Sequence, residues 1–234
     1  MSWSGFWQNQ RNAFTPIMQI NTAYFADQIK KSYTLNPSVN ILDYGCGPGL
    51  LIDSLGSRNV NCTGVDINAY FVDECKEKHP SSDFFQISTD IAATQLLFLT
   101  RIDNKKFDLV IMLSILQYFN SANDIESLLS FLKNYLTPSG KIILADVVSD
   151  ANSPFRDTWS LLKQSLLRGK IVAFVRFILY LIFSPYRKIS DQQKLLVLSE
   201  KTIADLANKV GLRMNIVQGM TIHPSRTNYV LTLH

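Results

Sequence analysis

The spacing of apolar positions changes period along the chain, and those changes outline its elements. Tyr24, Phe25 and Ile29 recur at helical spacing, which predicts an amphipathic helix ending near Lys31 with Pro16 and Pro37 as punctuation. From Val39 onward short apolar runs alternate with helical segments. Val39–Tyr44, Val60–Ile67, Asp83–Ile87, Phe107–Leu113 and Lys141–Val148 read as strands. Helices are expected from about Gly49 to Leu55, over Ala69–Lys78 before Pro80, and over Asp124–Leu136, the last closed by a Pro138-Ser139-Gly140 turn. Phe107–Leu113 is nearly all apolar, as a strand covered on both faces should be.

Strand–helix alternation of this kind implies parallel strands joined by right-handed crossovers, a doubly wound α/β sheet. The alternation breaks down after residue 150. It resumes with a helix near Glu200–Val210, which Gly211 ends as a C-terminal cap. Leu212–Gln218 and Thr227–Leu233 then suggest an antiparallel pair. Four segments follow: an N-terminal helical segment (1–38), a core (39–148), an insertion (149–198) and a C-terminal part of the core sheet (199–234).

Composition narrows the class. At 47% hydrophobic and 18% charged the 234 residues suit a large core and not a disordered chain. A net charge of +4 is too mild to argue for nucleic acid, and none is expected as a partner. Cys46, Cys62 and Cys75 lack zinc-site spacing, so no metal is expected; they read as reduced thiols of a cytoplasmic protein. The opening MSWSGFWQNQR does not have the pattern of a secretory signal.

The chemistry concentrates in Asp43-Tyr44-Gly45-Cys46-Gly47-Pro48-Gly49-Leu50. A glycine turn between a parallel strand and a helix lets backbone approach a ligand and aims helix N–H groups at it. A dinucleotide turn of the G-x-G-x-x-G/A form would need Gly or Ala where Leu50 stands. Asp66, in Val65-Asp66-Ile67, follows Asp43 by 23 positions, one strand–helix–strand unit. It would end the second strand, where a carboxylate can accept both ribose hydroxyls of an adenosine.

Together these features resemble the class I S-adenosylmethionine-dependent methyltransferases, closely over 39–148 and loosely over 199–234. The resemblance implies a Rossmann-like, mostly parallel seven-stranded sheet with an antiparallel last strand, extended here by an N-terminal helix and a helical lid. It implies S-adenosylmethionine as cofactor. Asp43, Tyr44, Gly45, Cys46, Gly47 and Gly49 would hold its methionine end, Asp66 and Ile67 the ribose, and Asp90 and Ile91 the adenine. Asp90 has an alternative role as a helix cap. Phe107–Phe119 is similar to the family's fourth motif, which puts Leu113, Ser114 and Gln117 near the methionine part. Many relatives carry a histidine just after that strand; this chain has Gln117-Tyr118.

Methyl transfer is an in-line displacement in which alignment and exclusion of water do most of the work. A base is needed only if the acceptor must lose a proton. His223, in the loop before the last strand, and Tyr118 are the catalytic candidates; an ordinary loop histidine and a packing tyrosine are the alternatives. His79, at a helix end, is expected to be exposed. Trp7 is a candidate wall of the acceptor pocket. Arg226 would either bind an anionic acceptor or sit in solvent.

Residues 151–188 carry seven Arg and Lys against the single acid Asp157, and Ile171–Phe183 is apolar except for Arg176. That run is too short to span a bilayer. It suits a lid or dimer helix, or a basic apolar surface making peripheral membrane contact through 156–188. The expected function is methylation of a small or lipid-like, apolar or amphipathic acceptor, on oxygen by preference. One alternative is a non-catalytic S-adenosylmethionine-binding partner or regulator. The other is a nicotinamide-dependent dehydrogenase, against which Leu50 and the lack of a Tyr-x-x-x-Lys pair both stand.

Overall fold

The structure is a computed structural model that describes residues 2–9, 14–102, 105–150, 153–183, 189 and 192–234. Seven strands form one sheet in the order β3-β2-β1-β4-β5-β7-β6. They are β1 (Asn40–Tyr44), β2 (Asn61–Asp66), β3 (Asp83–Gln86), β4 (Phe107–Leu113), β5 (Leu136–Val148), β6 (Leu212–Val217) and β7 (Arg226–Leu233). Neighbours from β3 to β5 run parallel, and β7 is antiparallel to both β5 and β6, as the sequence pattern implied. The central strands β1, β4 and β5 are buried on both faces, which is why their sequences lack a polar alternation.

Two apolar layers cover the sheet. On one face Phe98, Ile125, Leu129, Leu132, Ile203 and Leu206 pack from α5 (Ile91–Arg101), α6 (Ala122–Leu132) and α9 (Glu200–Lys209). On the other, Phe25, Ile29, Leu51, Ile52, Val72 and Cys75 pack from α2 (Thr15–Ser32), α3 (Leu50–Leu55) and α4 (Ala69–Lys78). Several of the helices start at a side-chain cap. Asn68 accepts from Tyr70 N and Phe71 N at α4, and Ser121 and Asp124 form a reciprocal capping box at α6.

Two boundaries differ from the sequence expectation. The helix expected to reach Leu136 stops at Leu132 and tightens into a 3₁₀ turn over Lys133–Tyr135. The Pro138-Ser139-Gly140 segment, expected to be a turn, belongs to β5, whose first residue Leu136 pairs with Phe107. The register with β4 passes from Phe107–Leu136 directly to Leu109–Lys141, so Thr137–Gly140 bulges out of the pairing, and the local turn chemistry of Pro138-Ser139-Gly140 persists as an irregularity within the strand.

α1 (Trp3–Gln8) and the insertion lie over the carboxyl ends of the strands. The insertion contributes α7 (Pro154–Leu167) and α8 (Ile171–Phe183). Trp3, Phe6 and Phe14 pack with Tyr118, Phe177 and Tyr180, and Leu161 joins Ile17, Ile20 and Ile222. Trp7 O accepts a 2.8 Å hydrogen bond from Asn68 Nδ2, which ties α1 to the start of α4. Arg187 and Lys188 of the basic segment lie outside the described residues. No helix among the described residues is long and apolar enough to cross a membrane.

Candidate functional site

The glycine turn after β1 is held from two sides. Gly45 N and Cys46 N both donate to Val65 O at the end of β2, at 2.7 and 3.0 Å. Gly47 N donates to Asp66 Oδ2 at 2.8 Å, and Asn68 N donates to Asp66 Oδ1 at 2.8 Å. Gly45, Gly47 and Gly49 all have positive φ, at 85°, 50° and 77°. At Gly45 a Cβ would also strike Ile115 Cγ2 at 2.7 Å, whereas at Gly47 it would meet nothing within 4 Å. Gly45 is therefore required by packing. Gly47 is buried, its N–H bonded to Asp66 and its carbonyl accepting from Cys75 Sγ, but the space where a Cβ would stand is open, which leaves room for a ligand against the turn.

A cavity of about 390 Å³ opens beside this turn, at the carboxyl ends of β1, β4 and β5. Among its lining residues are Asp43, Gly45, Cys46, Leu113, Ser114, Gln117, Tyr118, His223, Arg226 and Trp7. Ten of the residues singled out in the sequence thus meet in one cavity. Tyr44, Gly47, Gly49, Asp66, Ile67, Asp90 and Ile91 do not line it. Tyr44, Gly47 and Asp66 are buried along the β1–β2 side of the turn. Asp90 is exposed and caps α5, its Oδ1 accepting from Ala92 N at 2.8 Å.

The polar groups of the cavity are unevenly matched. Asp43 is almost fully buried, and burial followed by the nearby charge of Asp66 pushes its carboxyl up to about 7. Gln117 donates from Nε2 to Ser114 O at 2.6 Å, while its Oε1 is buried with no hydrogen-bond partner. An orphaned acceptor and a carboxyl whose ionisation is suppressed by burial, in one cavity lining, suit a cationic ligand group, which would satisfy the amide and favour the charged form of Asp43. The ammonium and sulfonium of S-adenosylmethionine are such groups, so the residues present fit the cofactor that the sequence implies.

Elsewhere in the same lining Asp146 positions His223 and Asp157 positions Arg226. His223 Nδ1 lies 2.7 Å from Asp146 Oδ1, and Ser114 Oγ lies 2.6 Å from Asp146 Oδ2. Arg226 Nε donates to Asp157 Oδ2 at 3.2 Å, and Asp157 also accepts from Ser225 N and Ser225 Oγ. Arg226 Nη1 is buried without a hydrogen-bond partner. Burial alone would raise Asp146, but His223, Arg226 and Ser114 outweigh it and hold the carboxyl below its usual value. Burial likewise works against the charge on His223, and Asp146 and Asp157 overcome it, so the imidazole titrates above its usual value.

The apolar wall comes from α1, α2, α7 and α8. Tyr118 packs against Trp3 and Trp7, at ring-centroid distances of 5.4 and 5.2 Å, and so is both an aromatic packing residue and part of the wall. Arg226 is ion-paired and mostly buried, not solvated. His79, expected to be exposed, is buried and pairs through Nε2 with Asp53 Oδ1 at 3.0 Å. The end of α4 folds back onto the glycine turn, and a Cβ on Gly49 would come within 3.6 Å of the His79 ring.

Asp146 and Asp157 were not read from the sequence as site residues. Asp146 could have been flagged as a charge interrupting the apolar run of β5, and Asp157 as the lone acid in a basic segment.

Residues 42–142 match a family described as a methyltransferase domain. A ubiquinone biosynthesis O-methyltransferase of Pasteurella multocida is 24% identical over 147 residues, covering 60% of this chain and 59% of that protein. The chain spans a little under three-fifths of the length of the first curated relatives it matches. Among solved structures, a TehB-like SAM-dependent methyltransferase from Corynebacterium glutamicum aligns with TM-score 0.57 at 16% identity, covering 90% of this chain and 88% of that one. Magnesium protoporphyrin IX methyltransferase from Synechocystis PCC 6803, with bound S-adenosylhomocysteine, aligns with TM-score 0.54 at 14% identity, covering 98% and 90%. At these identities the structural likeness speaks to the fold.

Proposed function

We propose that the chain, whose residues 42–142 match a methyltransferase-domain family, is a class I S-adenosylmethionine-dependent methyltransferase and that it transfers a methyl group to an oxygen of a small, apolar or amphipathic acceptor. The observation that carries this is the composition of the one cavity beside the glycine turn. Its lining offers Asp43, Gly45 and the orphaned Gln117 Oε1 together with the apolar Trp7, Phe14, Phe177 and Leu181 and the polar His223 and Arg226. A cationic cofactor head and an apolar acceptor would therefore meet inside one enclosure.

The cofactor supplies an electrophilic methyl group when bound. Asp43, Tyr44, Gly45, Cys46, Gly47 and Gly49, with Leu113, Ser114 and Gln117, would hold its methionine end. Asp66 and Ile67 would take the ribose, and Asp90 and Ile91 the adenine. The chain's own contribution is alignment and exclusion of water, which can supply roughly 7–11 kcal/mol of barrier lowering. Trp7 and the aromatic side chains around Tyr118 form the acceptor's wall. Arg226, with its unpartnered Nη1, would bind an acceptor oxygen or anionic group. Oxygen is preferred as the methylated atom because matched relatives are named as O-methyltransferases.

The test is calorimetric titration with S-adenosylmethionine. The wild-type chain should bind, and Asp66→Ala should abolish measurable binding. Unchanged affinity would refute the ribose assignment, and no binding by the wild type would remove the proposal.

The acceptor can also be membrane-derived. Phe155, Trp159 and Phe183 are 80%, 64% and 81% exposed. They share α7 and α8 with exposed Arg156, Lys163, Arg168 and Arg176. Apolar side chains among cations favour an anionic lipid surface over water. A peripheral membrane contact through 156–188 would bring an amphipathic acceptor to the α7–α8 wall of the cavity.

A further inference from the structure

We propose that His223 is the base that takes the acceptor's hydroxyl proton, with Asp146 as its positioning residue, so that acceptors of this site carry an ionisable O–H. The inference rests on the methyl-transfer reading above and assigns the proton path within it.

Three observations carry it. The first is connectivity: Ser114, Asp146 and His223 form a continuous hydrogen-bonded chain, and all three line the cavity. With Asp146 Oδ1 2.7 Å from His223 Nδ1, the Nδ1–H tautomer is favoured and Nε2 is left with its lone pair. The second is strain. Among the described residues, Ser114 (φ 58°) and Asp146 (φ 63°) are the non-glycine residues with positive φ. Ser114 follows the last residue of β4, Asp146 sits at the irregularity of the neighbouring β5 between Leu144 and Val147, and their side chains bond to each other. A left-handed conformation costs about 1–2 kcal/mol at each such residue, and two facing each other in a cavity wall mark an arrangement imposed by the surrounding fold. Asp146 N is further fixed by donating to Asn228 Oδ1 at 2.9 Å. The third is charge. His223 is faced by Asp146 from β5, Asp157 from α7 and Arg226 from β7, and Asp43 and Tyr118 share the cavity wall. Two fixed acids against one fixed base stabilise an imidazolium.

In the reaction the acceptor O–H bond breaks and its proton goes to Nε2 of His223. The freed oxygen electron pair forms the new O–C bond. The C–S bond breaks with its electrons left on sulfur, giving a neutral thioether, and the imidazolium later returns its proton to water. Asp146 holds the ring and balances its positive charge. Arg226 Nη1 is a donor for the developing oxyanion.

Two measurements on the full chain test this without turnover. The first is imidazole NMR titration of the ligand-free protein. His223 should titrate above the usual value of about 6.5, and Asp146→Asn should lower it. Asn tolerates the left-handed region, so this variant keeps the backbone. An unchanged midpoint overturns the coupling. The second uses para-nitrophenol, whose anion absorbs visible light, on protein saturated with S-adenosylhomocysteine. At a pH where the free probe is mostly neutral, the wild type should raise the phenolate absorbance, and His223→Gln and Asp146→Asn should not. No phenolate up to the solubility limit, or equal phenolate in His223→Gln, overturns the proposal. Calorimetry with S-adenosylmethionine separates the two readings. Both variants should bind it like the wild type, so loss of the probe signal with binding intact bears on His223, while absence of wild-type binding bears on the methyltransferase reading itself. With any turned-over hydroxyl acceptor, His223→Gln should lower kcat by about 10²–10⁴-fold.

Discussion

Two alanine substitutions in one turn should separate packing from ligand contact. In Gly45→Ala the new methyl lies 2.7 Å from Ile115 Cγ2 and 3.3 Å from Ile115 Cδ1, at φ +85°. Left-handed strain contributes about 1–2 kcal/mol and overpacking a further ~1–3 kcal/mol, so the loss of stability should be about 2–5 kcal/mol. In Gly47→Ala φ is +50° and no atom lies within 4 Å of the added carbon, so only the ~1–2 kcal/mol of strain applies. Urea unfolding with linear extrapolation measures both losses. Calorimetric titration with S-adenosylmethionine should then show Gly47→Ala folded yet weakened by ten-fold or more, a cost of about 1.4 kcal/mol or above. The reasoning fails if Gly47→Ala binds like the wild type, because the turn would then not touch the cofactor. It fails equally if Gly47→Ala is destabilised as much as Gly45→Ala.

Asp43 titrates near 7 when folded, above its unfolded value, so its neutral form adds stability at low pH that is lost as pH rises through about 7. Asp43→Asn should gain stability over the wild type progressively from about pH 4 to 7 and then level off, read from urea midpoints. For His223, raised by Asp146 and Asp157, the stabilisation is complete below about pH 6.5 and fades as pH climbs through the raised folded value. The stability difference between wild type and Asp146→Asn should therefore shrink on the alkaline side, and a difference that grows with pH would contradict the pairing. The chain should float with anionic liposomes at low salt and detach at high salt. Trp159→Ser with Phe183→Ser should keep the unfolding midpoint, since both side chains are largely exposed, and abolish flotation; retained flotation of the pair argues against lipid contact there.

The strands, their parallel order up to β5 and the glycine turn were legible in the sequence because each rests on local pattern. Continuous apolar runs report burial on both faces, and Gly45-Cys46-Gly47-Pro48-Gly49 reports a backbone conformation that other residues resist. Asp43 and Asp66 could be named as cofactor-side candidates from their place in one strand–helix–strand unit, whereas Gln117 was named only through the resemblance of Phe107–Phe119 to a family motif. The group proposed to face the acceptor could not be assembled that way. His223 and Asp146 are 77 positions apart, and Asp157 and Arg226 are 69 apart. They meet only because β7 returns antiparallel beside β5 while α7 folds over the strand ends. His79 was misjudged because exposure at a helix end depends on what packs there, and the glycine turn packs there. Short-range period and turn chemistry are written in neighbouring residues. The partners of a buried charge are chosen by the burial itself, which exists only once the chain has closed around it.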